Sequence, residues 1–304
     1  MTKSICITGA TGNVGLETLR FLLQKNEENR IIAAVQNIAA AAILFEKEFG
    51  KEAAKKIELR RFDMMNPVPV LIDEALKGVK QLFLMRPPQI SDVPTYIQPI
   101  IEAAKRGGVG HIVFLSLNGV EEQKQTPHYA IEQLLRKSSI EWTFLRPSFF
   151  MQNLTTTHRE EIARRNEIFV PAGDGKTNFI DVQDIGEVAA VVMLESEKHY
   201  GKAYSLTGAK SYTYQEIAEH LSKHLGRKIT YARPSKARFF LRKYIVERLP
   251  FSFVLVMIYL YHQTINGRAD NYSPDIASLL GHPPTSFEEF VKRNENQWKE
   301  NEVT

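Results

Sequence analysis

The chain has 304 residues, of which 43% are apolar, which is enough for one large domain or a domain with a small lobe. Its formal net charge at pH 7 is only +4 and no long basic block occurs, so we expect no nucleic-acid partner. The single cysteine, Cys6, excludes an internal disulfide and favours the reducing cytoplasm.

The first predicted element is a buried strand that runs into a glycine-rich turn and then into a helix. Gly9 permits the tight turn, Gly12 lets backbone N–H groups approach a pyrophosphate, and Gly15 lets the helix pack closely on the strand. The helix N-terminus adds a partial positive charge that favours phosphate. The predicted contacts of a dinucleotide are Gly9, Thr11, Gly12, Asn13, Val14 and Gly15.

Strand-like and helix-like segments then alternate through the first half of the chain. Further strands are predicted at 30–35, 57–62, 81–85, 111–117 and 141–145. Helices are predicted at 39–49, 68–76, 93–106 and 127–138. This alternation implies parallel strand pairing through right-handed crossovers, and therefore a Rossmann-type doubly wound parallel sheet.

The second half is less regular and predicts a smaller C-terminal α/β lobe that binds the substrate. Helices are predicted at 184–194 and 214–225, and short strands at 203–206 and 229–232. We therefore expect a nucleotide-binding domain over 1–150 and a substrate lobe over 151–304. A segment near 178–195 is expected to return to the first domain.

One apolar run, Phe251–Tyr261, is too short to span a bilayer, which needs about twenty residues. We expect it to form a buried or pocket-lining helix. The alternative is an anchor on a membrane surface, which the basic residues Arg238, Arg242, Lys243 and Arg248 upstream would favour.

Several motifs together resemble the NmrA-like family of atypical short-chain dehydrogenase/reductases, which includes NAD(P)H quinone oxidoreductases and triphenylmethane reductase. The matching segments are Thr8–Gly15, Phe114–Ser116, Thr143–Pro147, Phe179–Ile185 and Gly281–Phe290. These segments are distributed over nearly the whole chain, and the full set is more specific than the glycine motif alone.

The end of the second strand bears on the choice of cofactor. A strict NAD site usually places an acidic residue there, but this chain has Gln36 and Asn37. Both can hydrogen-bond a ribose hydroxyl or a phosphate, although Gln36 is equally consistent with an exposed loop residue. Family members that use NADPH often carry arginine near this point, so the resemblance implies NADP, with NAD possible. Arg60, Arg61 or Lys47 could supply the positive charge instead.

Three further positions follow strand ends, where ligands bind in such sheets. Asp63 resembles the position that contacts adenine in the family, and Met85 and Arg86 follow the fourth strand. Arg86 could meet a phosphate or an anionic substrate, or it could form a surface salt bridge.

The candidate catalytic groups are Ser116 and His128. The chain lacks the Tyr-x-x-x-Lys pair of conventional members of the class, but His128 and Glu132 match the His-x-x-x-Glu arrangement of quinone and triphenylmethane reductases. His128 could supply a proton near neutral pH, or it could be a helix-start residue held by Glu132. Ser116 could bind the nicotinamide carboxamide or a substrate oxygen, or it could cap the strand end. Ala130 stands where many relatives carry lysine.

Phe149 and Phe150 follow the sixth strand, and we expect them to contact a small hydrophobic or aromatic substrate. The eight histidines show no metal-ligand spacing, so no metal is predicted.

The expected function is transfer of a hydride from NAD(P)H to a quinone-like or other conjugated hydrophobic acceptor. Such an acceptor is already electrophilic, so the missing Tyr and Lys do not exclude a reductase. The alternative is a non-catalytic NAD(P)-sensing regulator of the NmrA type. We expect a monomer or homodimer with no membrane span.

Overall fold

The computed structural model of the chain describes residues 3–25 and 28–299. The contacts between residues divide the chain into two units. Unit 1 comprises Met1–Pro147, Val182–Leu206 and Asp275–His282, and unit 2 comprises Ser148–Asp181, Thr207–Pro274 and Pro283–Thr304.

Both units are built from strands and helices. The strands are β1 Ser4–Thr8, β2 Arg30–Val35, β3 Ile57–Arg61, β4 Gln81–Met85, β5 His111–Leu115, β6 Glu141–Pro147, β7 Phe149–Phe150, β8 Glu167–Ile168, β9 Lys176–Ile180, β10 Lys202–Leu206, β11 Ser211–Thr213 and β12 Thr230–Tyr231. The α-helices are α1 Asn13–Lys25, α2 Ile38–Phe49, α3 Lys51–Ala54, α4 Pro69–Leu76, α5 Val93–Tyr96, α6 Gln98–Arg106, α7 Pro127–Lys137, α8 Arg159–Arg165, α9 Val182–Leu194, α10 Tyr214–Leu225, α11 Lys236–Phe240, α12 Phe251–Ile265, α13 Asp275–Leu280 and α14 Phe287–Asn294. A π-helical segment, Leu241–Val246, lies between α11 and α12.

The central sheet of unit 1 has the strand order β10-β6-β5-β4-β1-β2-β3, and each neighbouring pair is parallel. The order reverses between β1 and β4, so their carboxyl ends flank the topological switch point. Thr8 joins these two strands there, because its Oγ1 donates to the carbonyl oxygen of Phe83 (3.0 Å) and accepts from the Met85 N–H (2.9 Å). The predicted doubly wound sheet is confirmed.

The strands at the centre of this sheet are buried because helices cover both faces, which explains their nearly continuous apolar sequence. Ile5, Cys6 and Ile7 of β1 have no exposed surface. Burial raises the pKa of the Cys6 thiol to about 12, so this thiol stays protonated and contributes as a small apolar group.

Helix α9 belongs to unit 1 and packs directly on α1. A Cβ atom on Gly186 would lie 2.6 Å from the Cβ of Glu17 and 2.8 Å from the backbone N of Thr18. Because real Cβ atoms do not approach other atoms so closely, only glycine allows the two helices this separation. The segment after β9 thereby returns to the sheet of the first unit.

The single helix predicted at 93–106 is wrong, since the structure breaks it into α5 and α6 at Ile97. Pro99 has no N–H to donate to the preceding turn, so the hydrogen bonds of α5 cannot continue through it, whereas a proline is tolerated in the first turn of a helix. It therefore begins a new helix rather than continuing the first.

Unit 2 contains a three-stranded sheet, β11-β9-β7, and the two-stranded pair β12-β8. Aromatic residues dominate its core: Phe169, Phe179, Phe239, Phe287, Phe290 and Trp298. Within the described part of the chain, no helix has the length and apolar character that crossing a bilayer requires.

Candidate functional site

The glycine turn lies at the switch point of unit 1, between β1 and α1. Gly9 adopts φ 60°, in the left-handed region, and the Gly12 N–H donates to the Gly9 carbonyl oxygen at 2.9 Å. A Cβ on Gly15 would lie 2.3 Å from that same oxygen, so this position admits only glycine. Thr11, Gly12 and Asn13 are exposed at the start of α1. Backbone N–H groups at a helix start suit a pyrophosphate, so the turn fits a dinucleotide.

Gln36 and Asp63 lie together at the ends of neighbouring strands. Gln36 Nε2 donates to Asp63 Oδ1 at 2.7 Å, and the Met65 N–H donates to the same oxygen at 2.9 Å. Asn37 has a structural role, since its side-chain oxygen caps α2 by accepting from the Ala40 N–H at 3.0 Å. The pairing of Gln36 with Asp63 comes from the alignment of β2 with β3 and could not be read from spacing along the sequence.

One of the three expected cations, Arg60, is engaged by protein groups. It donates to Glu58 and to the carbonyl oxygens of Ala75 (2.9 Å) and Lys77 (2.7 Å), so it ties β3 to the end of α4. Lys47 lies in the last turn of α2, at the far end of the helix from Asn37. The exposed Arg61 is therefore the cation of this group that could meet a phosphate.

Arg86 folds over the loop that follows β4 rather than forming a surface salt bridge. Its Nη1 donates to the carbonyl oxygens of Pro87 (2.8 Å), Pro88 (3.2 Å) and Ile90. Its Nε is buried without a hydrogen-bond partner in the described structure, and burial lowers the pKa of the Arg86 guanidinium. Met85 lies beside the glycine turn, where its Cε is 2.9 Å from the position that a Cβ on Gly9 would occupy.

Ser116 belongs to a buried ion-pair cluster with Glu132 and Arg146. Ser116 Oγ donates to Glu132 Oε1 at 2.7 Å, and Arg146 donates to both Glu132 oxygens at 3.0 and 2.7 Å. Glu132 is only 1% exposed. Burial would lower the pKa of Arg146, but its bonds and ion pairs with Glu132 and Glu121 raise it overall. The guanidinium therefore stays charged, and the carboxylate has a permanent partner.

Glu132 thus binds Ser116 and Arg146, and the expectation that it holds His128 is wrong. Arg146 occurs in the Thr143–Pro147 motif, but the packing of α7 against β6, rather than sequence spacing, brings it to Glu132. Bidentate contact is typical of arginine with a carboxylate.

His128 is half-buried in the first turn of α7, with its ring centroid 6.1 Å from that of Phe114. Loss of water, together with the positive charge of Arg86, lowers the pKa of His128 to about 3. The imidazole is therefore neutral near neutral pH. It can donate or accept a hydrogen bond, but it does not carry the extra proton of a charged general acid.

Unit 2 holds an aromatic pocket of its own. Its lining residues are Phe149, Asn153, Leu154, Thr157, His158, Phe179, Tyr214, Phe253, Val256, Met257, Leu260 and Tyr261. Phe149 is thus a pocket residue, whereas Phe150 is half-buried in β7 and does not line it.

A buried hydrogen-bonded chain reaches this pocket from the unit 2 interior. Lys243 Nζ donates to Glu161 Oε1 (2.6 Å), Glu161 Oε2 lies 3.1 Å from His158 Nδ1, and His158 Nε2 lies 2.7 Å from the Tyr261 hydroxyl. Burial would raise the pKa of Glu161, but His158 and Lys243 lower it overall. Because a carboxylate only accepts, His158 Nδ1 donates to Glu161. The Tyr261 hydroxyl also forms a hydrogen bond with Tyr214, so the chain of polar groups continues to a second phenol at the pocket wall.

The His158-x-x-Glu161 spacing is the one sequence signal for this chain of groups. Tyr261 lies 103 residues after His158, and only the fold brings the two side chains together.

The fold and the glycine turn define a Rossmann-type α/β protein. The profile of the NmrA-like family matches residues 1–291, and the chain belongs to this family.

Relatives with described activities match over nearly the full length. Quinone oxidoreductase 2 of Escherichia coli (strain K12) is 29% identical over 291 residues, which cover 94% of this chain and 97% of that protein. The NADPH complex of the Escherichia coli quinone oxidoreductase superposes with a TM-score of 0.84 at 28% identity, covering 96% of this chain and 100% of the other. The Citrobacter sp. triphenylmethane reductase, complexed with NADP(H), gives a TM-score of 0.82 at 27% identity, covering 95% and 99%. NmrA, a negative transcriptional regulator solved with NADP, shares the fold with a TM-score of 0.74 at 16% identity, covering 96% and 94%.

We predict that Glu132→Gln lowers the free energy of unfolding by about 3 kcal/mol or more, because it leaves Arg146 buried and charged without its main partner. Glu121→Gln is the matched control, since Glu121 also contacts Arg146 but its side chain is 59% exposed. Its loss should cost about 0–1 kcal/mol. Urea denaturation measures both, and equal losses would show that the buried pair has no special role.

We also predict that His128 makes the fold less stable in acid. Between pH 6.5 and about 3, the unfolded chain binds a proton at this position that the folded chain does not. The free energy of unfolding therefore falls as the pH drops through this range. His128→Asn should flatten that dependence, measured as urea unfolding at a series of pH values. An unchanged slope would contradict the lowered pKa.

Proposed function

We propose that the chain is an NAD(P)H-dependent reductase of quinone-like or other conjugated hydrophobic acceptors. The observation that carries the proposal is the glycine turn at the switch point, where Gly9 has a positive φ that side chains rarely adopt and Gly15 leaves no space for a Cβ. The full-length similarity to a quinone reductase and a dye reductase supports the reaction class.

The residues present fit NADP, and they also fit NAD. The turn from Gly9 to Gly15 would hold the pyrophosphate, Gln36 would face the adenosine ribose, and Asp63 would lie beside the adenine. Gln36 offers amide groups to either a 2′-hydroxyl or a 2′-phosphate, and the exposed Arg61 lies on the neighbouring strand. When bound, the cofactor supplies a hydride from its nicotinamide ring.

The protein groups near the switch point position ligands rather than deliver a proton. The Ser116 hydroxyl donates to Glu132, and His128 is neutral, so neither supplies a strong acid. A conjugated acceptor needs little acid catalysis, because reduction of a quinone takes up one hydride, with its two electrons, and one proton that water can provide. The site therefore suits an electrophilic acceptor better than an alcohol.

The aromatic pocket of unit 2 is the proposed binding place for the flat part of the acceptor. Phe149 and Phe179 present rings, and Tyr214 and Tyr261 present phenol groups that hydrogen-bond to each other. Flat hydrophobic molecules with one or two polar groups suit such a lining. Phe150 would act only through the position of its neighbour Phe149. We further propose a cytoplasmic monomer or homodimer.

A sensor that binds NAD(P) without turnover is the second candidate. It is favoured by the absence of the Tyr-x-x-x-Lys pair and by Ala130, where a lysine would contact the nicotinamide ribose in relatives. Turnover separates the two proposals.

We predict steady-state NADPH oxidation with soluble quinones, and its loss in Gly12→Val. A Cβ on Gly12 would already lie 3.3 Å from the Gly9 oxygen, and the valine methyl groups would occupy the space of the pyrophosphate. Gly110→Val is the matched control, because a Cβ there meets nothing closer than 3.8 Å. Gly110 precedes β5, so it lies at the amino ends of the parallel strands, away from the glycine turn at their carboxyl ends.

Calorimetry should show NADPH binding to wild type and Gly110→Val but not to a folded Gly12→Val. Unchanged affinity in Gly12→Val would refute the site. Binding without turnover of any quinone, nitro or dye acceptor would favour the sensor.

We predict that wild type binds NAD and NADP with similar affinity and that Gln36→Arg favours NADP. A charge-assisted bond to the 2′-phosphate should contribute about 1–2 kcal/mol, or roughly a 5- to 30-fold preference. Calorimetric titration of both cofactors measures it. A wild type that binds NAD about a hundredfold more tightly, a difference of some 3 kcal/mol, would contradict the argument.

A further inference from the structure

The exposed apolar side chains of this chain are concentrated in one stretch of unit 2. Of the seventeen large apolar residues exposed in the described structure, eleven lie between positions 241 and 265. They are Leu241, Tyr244, Ile245, Val246, Phe251, Phe253, Leu255, Val256, Tyr259, Leu260 and Ile265.

Helix α12 shows how unusual this surface is. Its buried stripe consists of Val254, Met257, Tyr261 and Thr264, which pack into the unit 2 core. The opposite face carries Leu255 and Tyr259, which are 44% and 37% exposed, beside the polar residues Ser252, His262 and Gln263. A helix with so much apolar surface outside its buried stripe is typical of one that contacts a partner or a membrane. The helix has 15 residues, which is too short to cross a bilayer.

The net charge of the same stretch is positive. Positions 236–262 contain five Lys or Arg residues and one acidic residue, Glu247. Glu247 accepts from the buried Lys243 at 2.8 Å, so its charge is compensated locally. Lys236, Arg238 and Arg248 are exposed, and they leave a positive rim beside the apolar face.

We propose that this apolar and basic surface, residues 236–265, docks on an anionic lipid bilayer, with α12 lying in the plane of the membrane interface. Apolar side chains would enter the boundary between headgroups and acyl chains, while the cations would meet anionic headgroups. A second copy of the chain fits less well. A two-fold symmetric interface would bring two copies of the same positively charged surface together.

The aromatic pocket shares residues with this surface. Phe253, Val256 and Leu260 line the pocket and are 38%, 53% and 39% exposed. The rim of the pocket thus lies in the docking surface. If the proposed reductase function holds, a lipid-soluble quinone-like acceptor would reach the pocket directly from the bilayer. The substrate class is then a conjugated carbonyl compound that partitions into lipid.

The test is flotation of the full chain with vesicles, without cofactor or acceptor. One set contains about 30% phosphatidylglycerol in phosphatidylcholine, and the other is pure phosphatidylcholine. We expect wild type to float with the anionic vesicles, and less so in about 1 M NaCl, which screens the rim charges.

Ile245→Asp should lower the bound fraction by about tenfold, because it places a charge in the apolar face. Ile43→Asp is the matched control, since Ile43 is 72% exposed on α2 in unit 1 and should leave binding unchanged. Circular dichroism checks that both variants fold. Lys236→Glu together with Arg238→Glu should abolish the preference for anionic lipid.

Equal flotation of wild type and Ile245→Asp, or no flotation with anionic vesicles, would overturn the proposal. So would a dimer, seen by sedimentation, that Ile245→Asp dissociates, because a second copy would then cover the surface. Ile245→Asp should keep wild-type turnover with a water-soluble quinone. If wild type fails to float but keeps turnover, only the docking proposal is refuted. If wild type floats but shows no turnover, the proposed reductase function is refuted.

Discussion

At the carboxyl ends of the unit 1 strands, backbone segments approach one another so closely that no side chain would fit between them. A Cβ on Gly15 would lie 2.3 Å from the Gly9 oxygen and 2.7 Å from the Ala10 Cα. On its other side α1 meets Gly186 of α9, where a Cβ would lie 2.7 Å from the Glu17 carbonyl carbon. These contacts fix where α1 begins and where it points, and therefore where its N-terminal N–H groups can meet a phosphate.

The polar groups beyond that edge satisfy one another before any ligand arrives. Glu132 takes the hydroxyl of Ser116 and the guanidinium of Arg146, and Arg86 holds three carbonyl oxygens of its own loop. Groups held by several hydrogen bonds in this way are rigid, and the Ser116 and Arg146 donors that face Glu132 do not easily give up a proton. Rigid positioning without an acid is what hydride transfer to an electrophilic acceptor requires, and it is a poor arrangement for a less reactive carbonyl.

The parts of the fold that could be predicted are those specified by neighbouring residues. Apolar runs and Gly9, Gly12 and Gly15 indicated β1, the turn and α1, and the alternation of elements indicated the parallel sheet. Pairs formed between strands, such as Gln36 with Asp63, could not be predicted, because nothing in the spacing fixes which strand ends become neighbours.

The same holds for His128, whose motif suggested a partner in Glu132. The neutral state of His128 follows from burial and from Arg86, which lies 42 positions earlier in the sequence. The proton chemistry of the site is therefore a property of the packed structure, whereas the motif reports only which residues take part.

Helix α12 illustrates how a sequence pattern can have two consequences at once. Its apolar run predicts either a pocket lining or a membrane-surface anchor. In the structure Val254 and Met257 pack inward, Val256 and Leu260 form the pocket rim, and Leu255 faces out. Because one turn of helix takes 3.6 residues, the nine consecutive apolar residues from Phe253 to Tyr261 necessarily reach all of these directions. An amphipathic helix would have supplied the core contact alone, so the outward apolar face has to be explained by something other than the folding of unit 2.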